Sequence, residues 1–165
     1  MLKSLFLFSI LVTNSYSICP LSLLGLKQNA KVYYAHPLNY YDKSMERRDV
    51  KLLSSQGLQV INPNDDAIEK QFQLTKDFSL FTKLASASDA VAVRAFADKK
   101  LGAGVAKEAL DAIAAGKIAF EIRQGSDRKL NFFLLTVEEI KARELTIAET
   151  IEYLDYYGVV PRIKY

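Results

Sequence analysis

The chain has 165 residues, half hydrophobic and a quarter charged, which is the composition of one globular domain with a real core and excludes a disordered chain. Its net charge of +3 at pH 7 is too mild to imply nucleic-acid binding without a concentrated basic patch. One cysteine, Cys19, and one histidine, His36, exclude an internal disulfide framework and leave no Cys/His cluster for a metal. Neither a metal nor a cofactor is called for.

At the N-terminus, Met1-Leu2-Lys3 is followed by an apolar run from Leu5 to Val12 and then by polar and small residues ending at Ser17. This fits a signal peptide cleaved after Ser17. It fits equally an upstream extension ahead of a cytosolic domain. The first reading makes the mature protein exported, the second cytoplasmic. The run is short of the roughly 20 apolar residues of a membrane span, so no stable membrane association is expected of the mature domain. Residues 1–28 are therefore set aside as leader or extension, and residues 29–165 are read as a single α/β domain.

Ala30 to Ala35 is dense in β-formers and reads as a strand buried on both faces, broken by Pro37 and Asn39. Asp42 is a candidate N-cap for a helix from Lys43 to about Gln56, with Met45, Leu52 and Leu53 on its apolar face and Gly57 as its stop. Leu58 to Ile61 is a second strand, closed by the turn Asn62-Pro63-Asn64-Asp65. Asp66 to about Ser86 is helical in pattern, with Asp77 as an interruption. Asp89 to Val93 is a third strand, Arg94 to Ala103 a basic loop, and Gly104 to Ala115 a helix stopped by Gly116. Ile118 to Ile122 is a fourth strand, Gln124 to Asp127 a turn, and Leu130 to Leu135 a fifth apolar run. Thr136 with Glu139, and Thr146 with Glu149, each match a capping box at a helix start; the last helix closes near Gly158, before Pro161.

This alternation predicts a flavodoxin-like (Rossmann-like) doubly wound parallel sheet of about five strands with helices on both faces. The natural strand order, 2-1-3-4-5, sets the ends of strands one and three side by side at the switch point where such sheets bind ligands. Tyr33, Tyr34, His36, Pro37 and Asn39 would meet there with Asp89, Arg94 and the segment from Leu101 to Glu108. Gly102 and Gly104 permit close approach of backbone to ligand, and the helix that follows offers free N–H groups to an anion. The segment is not a Walker loop, which ends in Gly-Lys-Ser/Thr. Glu108 on its own reads first as a carboxylate stabilised by the helix dipole, by under about 1 kcal/mol.

Taken in order, KVYYAHPLN, a helix carrying Glu46, GLQVINPND, SDAVAV and LGAGVAKEALDAIAAGK resemble the nucleoside 2-deoxyribosyltransferase-like superfamily, nearest its small members with a YYAHP opening. That superfamily includes deoxyribosyltransferases and 2'-deoxynucleoside 5'-monophosphate N-glycosidases. The resemblance runs from about Lys31 to Ile122 and rests on the order and spacing of the motifs. It implies that Glu108 is the catalytic glutamate, that Asp89 is the aspartate opening the preceding strand, and that Tyr33 is an aromatic of the site. It also implies a small-molecule nucleoside or nucleotide as partner and a homo-oligomer with a neighbour completing the site.

The chemistry so implied is coherent. A glutamate can trap the oxocarbenium-like anomeric carbon as a glycosyl ester, while Asp89 or a tyrosine protonates the departing base. Ser44 and Arg47, with Lys99, Lys100 and Lys107, are candidates to hold a 5'-phosphate, though any one of these cations taken singly reads as part of an ordinary solvated face. The loop from Arg94 to Lys100 departs from the family in being basic, with only Asp98 acidic. The alternative is a non-catalytic module on the same fold that binds a nucleotide or an ADP-ribose derivative, since this architecture hosts many functions.

Overall fold

The computed structural model describes residues 24–125 and 129–159. Residues 1–23 of the leader or extension, Cys19 among them, and Ser126, Asp127 and Pro161 lie outside the described residues.

The strands are β1 Lys31–Ala35, β2 Gln59–Ile61, β3 Ala90–Val93, β4 Ile118–Gln124 and β5 Leu130–Leu134, in the order β2-β1-β3-β4-β5. This is the predicted doubly wound order. The helices are α1 Ser44–Ser55, α2 Asp66–Thr75, α3 Ser79–Ala87, α4 Ala103–Ala114, α5 Val137–Lys141 and α6 Ile147–Tyr156. Side chains alternate across β1, so Val32 and Tyr34 join Ala92, Phe120 and Leu53 on the α1 side, while Tyr33 and Ala35 join Val91, Ala106 and Ala109 on the α3/α4 side. Ala106, Ala109 and Ala112 form a fully buried small-residue stripe that seats α4 closely on the sheet.

Local differences have physical causes. The first four strands pair in parallel, but β5 runs antiparallel to β4. The 125–129 connection closes with a Gly125 N–H to Lys129 carbonyl bond of 2.8 Å, and a parallel return needs a crossover of a dozen or more residues. The helical stretch from Asp66 splits in two: Lys76 takes a left-handed φ of 51°, and Asp77 accepts from Ser79 N–H and Oγ to start α3. Asp42 does not cap α1. It sits at φ 60°, Lys43 occupies the cap position, and the buried stripe of α1 is Glu46, Asp49 and Leu53, two carboxylates and one apolar residue. Both predicted capping boxes are formed, with Thr136 accepting from Glu139 N–H and Thr146 from Glu149 N–H. Among the described residues, no helix is long and apolar enough to cross a membrane.

Candidate functional site

Glu108 lies in the second turn of α4, half-buried, where that helix crosses β1. Tyr33, at the middle of β1, is fully buried on the same side of the sheet. Its hydroxyl makes no hydrogen bond among the described residues, yet the two groups are close enough that each shifts the other. Burial pushes the Glu108 carboxyl up to about 8; the Tyr33 hydroxyl works against that shift and the charge of Asp111 adds to it. Burial first, then the neighbouring Glu108 charge, holds the Tyr33 phenol well above its ordinary value. A buried hydroxyl without a partner beside a carboxyl held near neutrality is the kind of unsettled pair that marks reactive sites.

The other candidates after β1 are committed to structure. His36 stacks on Tyr34 with centroids 4.3 Å apart, and its Nδ1 donates to the Tyr34 carbonyl at 2.9 Å. Its Nε2 faces Glu46 Oε1 at 3.5 Å, an ion-pair distance rather than a formed hydrogen bond. Glu46 also accepts from Asn62 at 2.7 Å, from Asn64 at 3.3 Å and from the Asp42 N–H, which ties the turn after β1 to the turn after β2. Burial opposes ionisation of Glu46, but His36, Asn62 and the Asp42 N–H together take its carboxyl down to about 2.

Tyr34 donates to Asp49 at 2.6 Å, and Arg94 clamps the same carboxylate through Nε at 2.7 Å and Nη2 at 2.6 Å. Asp49 is fully buried, so Tyr34 and Arg94 are pinned from behind by a residue that the sequence reading did not select. The signal was there: Glu46, Asp49 and Leu53 fall at i, i+3 and i+7 of one helix stripe.

The expected approach to the start of α4 is covered. The α6 side chain Thr150 accepts the Ala103 N–H at 2.9 Å, and a Cβ on Gly102 would meet Thr150 Cγ2 at 3.2 Å. Gly102 therefore serves the packing of α6. Gly104 is exposed, with nothing within 4 Å of where its Cβ would be. Phe96, Leu145 and Leu154 form a buried cluster with Leu38, Tyr153 and Val159, in the segments that follow β1 and β3 and in and around α6.

The remaining candidates scatter. Asp89 lies at the opposite, amino end of the sheet, where its carboxylate accepts the Lys31 N–H at 2.7 Å. In-register pairing of Val32 with Ala90 places it two residues, about 7 Å, before the level of Tyr33. Asp89 and Glu108 are thus not gathered at one carboxyl-end site. Ser44 is exposed on α1, and Arg47 donates to the Asp42 carbonyl at 2.7 Å. Arg47 lines a crevice of about 530 Å³ in which Asp42, Glu46, Asp65 and Asp66 outnumber the cations, a poor setting for phosphate. Pro37 is buried, and the Asn39 Oδ1 is buried without a partner.

A second crevice, of about 690 Å³, opens at the carboxyl ends of β3 and β4. Neither crevice is lined by Glu108 or Tyr33. Among the described residues no group of three or more His, Cys, Asp or Glu is placed to hold a metal ion. The chain matches no protein-family model, no curated protein and no solved structure.

Proposed function

We propose that the protein cleaves or transfers the N-glycosidic bond of a nucleoside or nucleotide, with Glu108 as nucleophile. The observation that supports this most is the placing of a half-buried Glu108 beside the buried hydroxyl of Tyr33. These are two of the three residues that the family resemblance marks as catalytic. In its ionised form, a Glu108 oxygen bonds to the anomeric carbon as the bond from that carbon to the base nitrogen breaks. The electron pair leaves with the base, which takes a proton from solvent, and water then hydrolyses the glycosyl ester. The buried Tyr33 hydroxyl is free to donate to that carboxylate as it reacts. Asp89, at the far end of the sheet, has no part in this version of the mechanism. A second copy of the chain that completes the site belongs to the same proposal.

The test is release of free base from deoxynucleosides and their 5'-monophosphates, followed by chromatography. Wild-type protein releases base at a rate that rises with pH through about 8, as the nucleophile ionises. Glu108→Ala releases none, and Tyr33→Phe is slower. No release from any substrate, or equal release by Glu108→Ala, overturns the proposal.

The non-catalytic alternative is a module that binds a nucleotide or ADP-ribose derivative at the carboxyl edge of the sheet, outside the start of α4 that Thr150 covers. That reading predicts thermal stabilisation by the nucleotide without turnover, unchanged in Glu108→Ala.

A further inference from the structure

The crevice between the carboxyl ends of β3 and β4 has a charge pattern that the Glu108 reading does not use. Arg94, Lys99, Lys100, Arg123 and Arg143 line it, against the carboxylates of Asp98 and Glu121. Both carboxylates are already engaged. Glu121, 2% exposed, is held by Arg143 through Nη1 and Nη2 at 2.7 Å each and by Arg123 Nε at 2.6 Å. Asp98 accepts from the Tyr153 hydroxyl at 2.6 Å and from the Lys100 N–H at 3.1 Å. Arg123 and Arg143 share the Glu121 carboxylate at the crevice floor, and the ammonium groups of Lys99 and Lys100 form no ion pair among the described residues. Arg94, 6% exposed, gives Nε and Nη2 to Asp49 and has no hydrogen-bond partner for Nη1 among the described residues.

The loop that carries the two lysines is held firmly. Lys99 N–H bonds to the Phe96 carbonyl and Phe96 N–H to the Lys100 carbonyl, both at 2.9 Å. Arg143 Nε donates to the Lys99 carbonyl at 2.7 Å, and the Phe96 ring is buried against α6. Lys99 keeps a left-handed φ of 72° there, a conformation that costs a non-glycine residue about 1 kcal/mol and persists only where the surroundings impose it. The cations are thus presented by a preorganised frame at the strand ends where open α/β sheets take ligands.

We infer that this crevice binds the phosphate or pyrophosphate group of a small-molecule ligand. Its volume suits a ligand of nucleotide size. A concave pocket with cations converging from three chain segments suits a compact dianion, whereas nucleic acid needs an extended basic stripe. The site stands apart from Glu108 and does not depend on catalysis there.

The test is calorimetric titration of the full chain with inorganic pyrophosphate at pH 7 and low salt, with sodium chloride of equal ionic strength as reference. Wild-type protein binds saturably at one site. The Lys99→Gln/Lys100→Gln double variant, which leaves the guanidinium–Glu121 framework in place, binds about tenfold or more weakly. Lys107→Gln, on α4 and paired with Asp111, binds as wild type, and so does Glu108→Ala. That last variant separates failure of this site from failure of the glycosidase reading. No saturable binding, a response that chloride reproduces, or unchanged affinity in the double variant overturns the inference.

Discussion

Two regions of the molecule use the same residue types to opposite ends. On the α1 side, Tyr34 and Arg94 share the Asp49 carboxylate, and His36, whose Nε2 forms no hydrogen bond among the described residues, is lodged against Glu46, which holds Asn62 and Asn64. On the α4 side, Tyr33 and Glu108 are the same kind of pair, a tyrosine and a carboxyl brought together by β1 and a helix, but the Tyr33 hydroxyl forms no hydrogen bond among the described residues. Neighbouring residues of one strand, Tyr33 and Tyr34, therefore end in different roles. A satisfied buried carboxylate is a fastener, and an unsatisfied one is a reagent or a liability.

The largest effect expected from breaking this contrast is at Asp49. Asp49→Ala strands the Arg94 guanidinium in the interior and destabilises the fold by about 3–5 kcal/mol in urea unfolding at pH 7. Replacing Asp49 and Arg94 together by leucine and methionine restores much of that loss, because no charge is then left alone.

A smaller loss, about 1–3 kcal/mol at pH 7, follows Glu46→Gln, which weakens the tie between the turns after β1 and β2. Its sign with pH is set by a folded carboxyl at about 2 against an ordinary value of 4.5. The stabilisation is full above pH 4.5 and fades as pH falls through 2, so the wild-type and variant unfolding curves converge in acid.

The smallest effect runs the other way. Glu108 keeps its proton in the folded state up to about pH 8, while the unfolded chain releases it near 4.5. Stability contributed at this position therefore falls as pH rises from 4.5 to 8 and is level above. Glu108→Gln raises Tm by about 2–4 °C at pH 9 and leaves it unchanged at pH 4. A variant that lost stability at pH 9 would place Glu108 with Asp49 and Glu46 among the fasteners.

What could be read along the chain were features set by near neighbours. Apolar runs, the stops at Gly57 and Gly116, the break at Asp77 and the two capping boxes depend on residues within a turn of one another, and all are in place. Strand order followed from the alternation of elements, since each parallel return needs a crossover helix. The roles of the polar residues were different. Asp49 meets Arg94 across 45 positions, Thr150 meets Ala103 across 47, and Arg143 meets Glu121 across 22. Such meetings depend on strand register and helix placement, which only the packed core settles. Register also sends Asp89 to the amino end of the sheet and Glu108 to Tyr33. The sequence alone thus determined which elements form and how they alternate, because those are local choices of period and turn. The tertiary structure decided which charges are spent on holding the fold, because the partners that neutralise them lie far along the chain.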